Sequence, residues 1–229
     1  MTTCVMMFVK EPTPGSVKTR LQSHLSPQEA ADLYRAFVVD SARTLARCNA
    51  RRKVIAYTPV SGLAAVSDLL RDIASAEAFE FVPQPEGDLG ERMARLFADR
   101  FDEGVERVIV VGSDSPSLPS SIIDQAFSLL QTHGLVLGPS TDGGYYLLGQ
   151  SAPDVRIFRQ IDWSTGQVLQ QTLRNAVQGF GLLPPWYDVD SPAEAAFLKV
   201  HLQAIQLAGG SEGEYSLQVL NRLRLPPPS

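Results

Sequence analysis

The chain has 229 residues, 44% of them hydrophobic, and a formal charge of -5 from 20 basic and 25 acidic side chains. That length suits one α/β domain with a substantial core, and the acidic balance argues against nucleic acid as the main partner. The apolar start, Cys4 to Val9, is too short and too closely followed by Lys10 and Glu11 for a signal peptide, no other apolar run reaches membrane-spanning length, and Cys4 and Cys48 lack metal-binding spacing, so a reducing cytoplasm and no membrane insertion are expected.

Cys4 to Val9 reads as a buried strand that runs into Lys10-Glu11-Pro12-Thr13-Pro14-Gly15-Ser16-Val17-Lys18-Thr19-Arg20-Leu21, a loop stiffened by two prolines and closed by Gly15. Lys18 and Arg20 then lie just past the strand end, where a nucleotide's phosphates would sit; the plainer alternative is solvated loop charge. Val17 stands where a P-loop needs glycine, which excludes that motif. Ser26 and Glu29 form a capping box with Pro27 at the first helical position, opening a helix to about Cys48 with Leu33, Tyr34, Phe37, Val38 and Leu45 as its core stripe. Lys53 to Tyr57 is a second strand. Ser61 is expected to cap a helix with Leu63, Val66, Leu70 and Ile73 inward, and Phe79 to Val82 form a third strand. The βαβαβ alternation predicts a parallel sheet with right-handed crossovers.

Gly87-Asp88-Leu89-Gly90-Glu91-Arg92-Met93 follows. Asp88 and Glu91 suit a second capping box, while Gly87 and Gly90 would let a flat or anionic ligand approach the backbone amides. Val108 to Val111 are four β-branched residues in a row, as in a strand buried on both faces, and the run stops at Gly112-Ser113-Asp114-Ser115-Pro116. Ligands of open α/β sheets bind beyond the carboxyl ends of strands, so Asp114 is expected in that crevice, holding a divalent cation with a phosphate-bearing substrate. The alternative is that Asp114 caps the next helix, but Ser117 is better placed as cap for a helix from Pro119 to about Thr132.

Leu135 to Leu137 begin another strand, and Asp142-Gly143-Gly144 is either a plain turn or a turn whose carboxylate reaches the same crevice as a base. Asp162 to Gln167 reads as a loop and capping box opening a helix with Val168, Leu169, Leu173 and Ala176, stopped by Gly179 and Gly181. Trp163 there either staples the helix entry or stacks on a sugar or base. In Trp186-Tyr187-Asp188-Val189-Asp190-Ser191-Pro192, Ser191 and Glu194 cap a helix to about Ala208, leaving Asp188 and Asp190 free to share one extended face and to complete a metal site with Asp114. A short amphipathic helix from about Ser216 to Arg224 and a fraying Pro226-Pro227-Pro228 tail end the chain. No nucleophile elbow, zinc motif or dinucleotide fingerprint is present.

These segments together resemble the nucleotide-diphospho-sugar transferase superfamily and, more narrowly, a bacterial family of glycosyltransferases with unassigned acceptor, some of which are labelled arsenosugar-biosynthesis glycosyltransferases. The resemblance covers nearly everything from Cys4 to Leu198. It rests on Pro14 to Leu21, Gly87 to Met93, Gly112 to Pro116, Asp142 to Tyr146 and Trp186 to Pro192. It implies a single-domain α/β GT-A fold with a mostly parallel central sheet and helices on both faces, residues 1–208 forming the catalytic domain and 209–229 a short helix and tail. It implies Asp114 as the aspartate joining Mg2+ or Mn2+ to the nucleotide diphosphate, Asp190 as a completing ligand, and Lys18 and Arg20 as the phosphate-facing pair. Lys18-Thr19-Arg20-Leu21 is also similar to a motif of phospholactate guanylyltransferases, which sets a second reaction beside the first, and a non-enzymatic reading stands as a third function. The first is glycosyl transfer from a nucleotide sugar to a small-molecule acceptor with Asp142 as base. The others are nucleotidyl transfer with pyrophosphate release, and a catalytically inactive nucleotide-binding module. A homodimer is left open.

Overall fold

The run Val108 to Val111 lies at the centre of the protein because its side chains feed two separate cores. In the computed structural model, which describes residues 1–73, 79–176 and 179–226, the strands are β1 (Thr3–Lys10), β2 (Arg52–Thr58), β3 (Phe79–Pro83), β4 (Arg107–Val111), β5 (Leu135–Pro139), β6 (Tyr145–Gln150) and β7 (Gly181–Leu182). The helices are α1 (Pro27–Arg47), α2 (Leu63–Leu70), α3 (Leu89–Asp102), α4 (Ser120–Leu129), α5 (Val168–Asn175), α6 (Pro192–Leu207) and α7 (Glu214–Leu220). Among the described residues the strands form one sheet in the order β3-β2-β1-β4-β6-β5-β7. Ile109 and Val111 join the core packed by α1, α2, α4, α6 and α7. Val108 and Val110 join the opposite one, where α3 supplies Met93, Leu96 and Phe97 and a 3-10 turn supplies Ile157 and Phe158. Alternating side chains of one buried strand thus serve both layers, the arrangement of a sheet with helices on both faces.

β1 pairs in parallel with β2 and β4, and β2 with β3. β6 inserts antiparallel between β4 and β5, and β7 pairs in parallel with β5. This geometry brings the β1, β2, β3, β4 and β5 carboxyl ends and the turn before β6 to one edge of the sheet, which is where the charged loops collect.

The capping boxes at Ser26/Glu29, Asp88/Glu91 and Ser191/Glu194 are all formed. Three other expected caps are not. Ser61 lies inside a 3-10 turn ahead of α2, which starts from Gly62 without a side-chain cap. Ser117 is buried and bonds to aromatic side chains, while α4 starts from Pro119 uncapped. The Asp162 to Gln167 loop makes its own bonds, from Thr165 Oγ1 to the Asp162 carbonyl for example, and α5 begins at Gln167 uncapped. Leu63 and Leu173, expected inward, are exposed, because both helices run only eight residues and turn a narrow face to the core. The C-terminal helix α7 is built into the main core through Leu217 and Leu220. Its first turn is capped from α1: the buried Asp40 carboxylate accepts from Ser216 N at 2.7 Å, Ser216 Oγ at 2.6 Å and Tyr215 N at 3.2 Å. Burial pushes the Asp40 pKa up and these hydrogen bonds oppose it. Pro227 and Pro228 of the expected tail lie outside the described residues, among which no helix is long and apolar enough to cross a membrane.

Candidate active site at the carboxyl edge of the sheet

β1 and β4 are hydrogen-bonded neighbours, so the loops that leave their carboxyl ends emerge side by side. The β1 loop delivers Lys18, whose backbone is left-handed (φ 47°, ψ 44°), and whose side chain folds inward to only 4% exposure. Its ammonium lies 2.6 Å from Asp114 Oδ1 and donates to Asp190 Oδ1 and the Val189 carbonyl, both at 2.8 Å. The rings of Tyr34 and Phe37 on α1 lie beneath it, with centroids 5.9 and 5.6 Å away. Burial alone would lower the Lys18 pKa, but the charges and hydrogen bonds of Asp114 and Asp190 outweigh it and hold the amine protonated above its ordinary value. Asp114 and Asp190 keep 42% and 39% of their side chains exposed, so the pair is open to solvent on the side away from Lys18. Arg20, 71% exposed, reaches Asp190 Oδ2 at 3.5 Å and leaves most of its side chain in solvent.

Local bonds fix the two acids. The Asp190 and Ser191 amides donate to Glu194 Oε2 at 2.8 and 2.7 Å, so the α6 capping box also locks Asp190. The Val189 amide donates to the Asp114 carbonyl at 3.1 Å, stitching the late segment to the β4 loop. Tyr34 Oη bonds to Ser113 Oγ at 2.8 Å and accepts from the Lys10 amide at 3.1 Å, tying α1 to both loop roots. The pKa of Tyr34 is pushed up to about 12, by burial first and by the Asp114 charge second. Above Gly112 an added Cβ would meet nothing closer than 4.0 Å, which leaves the floor of the crevice open.

Asp188 does not join Asp114 and Asp190 in one ligand cluster. It turns instead to Ser115 Oγ at 2.7 Å and Ser140 Oγ at 2.9 Å, bridging the loops after β4 and β5. Burial, followed by the charges of Asp114 and Asp142, pushes its pKa up to about 6 against the two seryl hydroxyls. Asp142 is exposed on the turn before β6, with Oδ1 accepting from the Gly144 amide at 2.9 Å. Gly143 sits at φ +91° with its α-carbon against the Gly166 carbonyl, so any side chain there would collide with backbone.

The Gly87 to Met93 segment is arranged differently from the expected open anion cradle. Asp88 spends its carboxylate on the Glu91 amide at 2.9 Å, the Glu91 side chain packs against Gly87, and half-buried Trp163 lies over Gly90, where a Cβ would come within 2.5 Å of the indole. Trp163 thus packs against the start of α3 and the core on that face. Gly15, at φ +80°, turns the β1 loop with open space around it.

No three His, Cys, Asp or Glu side chains among the described residues converge as a ready cage for a metal. Asp114 and Asp190 nonetheless fit a hard cation: they are two exposed carboxylates on either side of one point, and Mg2+ is commonly held by one or two carboxylates with substrate phosphates supplying the rest. The bonding roles of Tyr34, Ser113, Ser115 and Ser140 have no signal in the sequence. Tyr34 reads there as packing, which it does, and its hydroxyl's reach to Ser113 has no local signature.

The sequence profile of a bacterial family described as "Uncharacterized protein conserved in bacteria (DUF2064)" matches residues 41–165. No curated protein matches the sequence. Among solved structures, a provisionally assigned nucleotide-diphospho-sugar transferase from Desulfovibrio desulfuricans G20 superposes with a TM-score of 0.86 at 33% identity, over 97% of this chain and 95% of that one. A cytidylyltransferase from Leptospira borgpetersenii serovar Hardjo-bovis superposes at 0.56 with 12% identity over 97% and 94% of the two chains. A 4-diphosphocytidyl-2C-methyl-D-erythritol synthase from Anaerococcus prevotii does so at 0.57 with 8% identity over 88% and 96%. The latter two share the fold alone. With this profile match and a relative at that identity, the chain belongs to the DUF2064 family and has the nucleotide-diphospho-sugar transferase fold.

Proposed function

We propose that this protein is a metal-dependent glycosyltransferase that moves a sugar from a nucleotide-diphospho-sugar to a small-molecule acceptor. One observation carries the reading: Asp114 and Asp190, brought together from loops 76 positions apart, flank a single cationic position at the carboxyl ends of β1 and β4, with Arg20 beside them. Asp114 and Asp190 would hold Mg2+ or Mn2+. Such an ion, when bound, stabilises the charge that develops on a departing nucleoside diphosphate. Arg20 orients the diphosphate from the open side, and the space over Gly112 admits it. Asp142, on its exposed turn across the crevice, takes the proton of the acceptor hydroxyl.

The test is to incubate the protein and Asp114→Asn with a panel of nucleotide sugars and Mn2+ and to measure nucleoside diphosphate release. Release by the wild type and its loss in the variant support the proposal. Pyrophosphate release from a nucleoside triphosphate would replace it with nucleotidyl transfer, and binding without turnover would replace it with an inactive nucleotide-binding module.

A further inference from the structure

The chain's own ammonium group already engages one oxygen of each of the two acids, Asp114 and Asp190, that would share a divalent cation. Lys18 Nζ lies within 2.8 Å of one oxygen from each of Asp114 and Asp190, and a metal shared by the two acids would need those oxygens or their immediate neighbours. The lysine is held there deliberately. Its backbone adopts a left-handed conformation rare for a residue with a Cβ, which persists only where the surroundings enforce it. The side chain is sealed from solvent over two aromatic rings, and the Val189 carbonyl takes a further hydrogen bond.

We infer that Lys18 is a resident counter-ion of the acid pair, and that a divalent cation enters only as the Lys18 ammonium passes from Asp114 and Asp190 to the phosphates of the substrate. This rests on the metal-dependent reading above. The charges decide the order. Lys18 against two carboxylates leaves one negative charge, so a dication added alone would face a cation at contact distance. A diphosphate arriving with the metal supplies the anionic partner that Lys18 gives up. Metal and diphosphate therefore bind cooperatively, each raising the other's affinity by the same factor.

The test uses Mn2+ alone as the probe, titrated into wild type and Lys18→Met and followed by the loss of the free-ion electron paramagnetic resonance signal. The variant is expected to bind Mn2+ about tenfold or more tightly than wild type, since a like charge has been removed beside the ion. Equal or weaker binding by a folded Lys18→Met, while wild type binds Mn2+ well, overturns the counter-ion role and leaves metal dependence standing. Should Lys18→Met fail to fold, wild type decides through thermal shifts. Mn2+ with a nucleoside diphosphate must raise Tm by more than the sum of the two added singly, and a purely additive shift overturns the inference. No Mn2+ response from either protein, with or without each nucleoside diphosphate of a panel, removes the metal-dependent function and this inference with it.

Discussion

Two clusters of opposite charges sit at the two edges of the same sheet, and they are built on different arithmetic. At the amino end, Arg52 grips Glu80 through two bonds of 2.7 and 2.6 Å and Glu103 through one of 2.6 Å, and Arg100 closes the ring on Glu103 at 2.7 Å. Two cations meet two anions. At the carboxyl end, Lys18 and Arg20 meet Asp114 and Asp190, with Asp188 and Asp142 close enough for Asp142 to raise the Asp188 pKa. Here acids outnumber bases, one base is buried and the other is mostly exposed. A balanced ring carries no excess charge to draw in an ion, which suits a role in the fold. The acidic excess at the other end leaves room for an added cation, and that asymmetry supports the proposed placing of the working end there.

The largest expected effect comes from breaking the carboxyl-end cluster. Asp114→Asn should lower turnover on the order of a thousandfold, matching the several kcal/mol of charge stabilisation a catalytic cation supplies. Folding should lose only about 1–2 kcal/mol, because the buried Lys18 ammonium is still held by Asp190 and the Val189 carbonyl and Asp114 itself is half-exposed. Steady-state kinetics beside a urea unfolding curve separates the two, and a large loss of stability with activity per folded molecule unchanged would reverse the roles assigned to the two clusters.

The amino-end cluster predicts the opposite pattern. Arg100 is buried and its removal leaves Glu103 without one of its two arginine partners, so Arg100→Met should destabilise by about 2 kcal/mol. That is below the roughly 3–5 kcal/mol of a fully buried pair, because the two glutamates remain about 40% exposed. Turnover at a temperature where the variant is folded should equal that of wild type. A selective loss of activity would show that this end communicates with the site.

How much of this was readable in the sequence depends on the span of each interaction. Val108 to Val111 declares a doubly buried strand, and the three capping boxes declare their helices, because those signals lie within four residues. The βαβαβ alternation likewise foretells the parallel half of the sheet. The insertion of β6 antiparallel between β4 and β5 is not foretold, since its pairing with β4 joins residues some forty positions apart and its apolar composition suits either direction. Lys18, Arg20, Asp114 and Asp190 could each be picked out beside a strand end or helix start. That Lys18 would be enclosed by the two acids could not, for its bond to Asp190 spans 172 positions. Ser117 illustrates the converse error: its sequence position suits a helix cap, but Tyr187 and Trp186, about seventy residues on, take its hydroxyl instead.

A smaller effect tests whether α1 actively holds the working end together. Tyr34→Phe keeps the ring under Lys18 and removes the hydroxyl that joins Ser113 and the Lys10 amide. Leaving those groups without a partner should lower stability by about 1–2 kcal/mol. Turnover should fall only a few-fold, because Asp114 is also anchored through its carbonyl to Val189. A loss as great as that of Asp114→Asn would move Tyr34 from support into the chemistry.

The smallest effect concerns pH and belongs to the balanced ring. The hydrogen bonds from Arg52 hold the Glu80 carboxyl below its ordinary pKa of 4.5, ahead of a smaller opposing contribution from burial. Because the folded value lies below the unfolded one, the unfolded chain takes up its proton first as the medium is acidified. Glu80 therefore contributes its stability above about pH 4.5, and that contribution is lost as the pH falls through the lowered folded value. Partial exposure screens the interaction, so the change in slope should be modest. Glu80→Gln should flatten the acid limb of a Tm-against-pH profile while lowering Tm slightly at neutral pH. An acid limb unchanged in Glu80→Gln would mean that the ring is electrostatically idle, and the contrast between the two ends would then rest on the carboxyl-end acids alone.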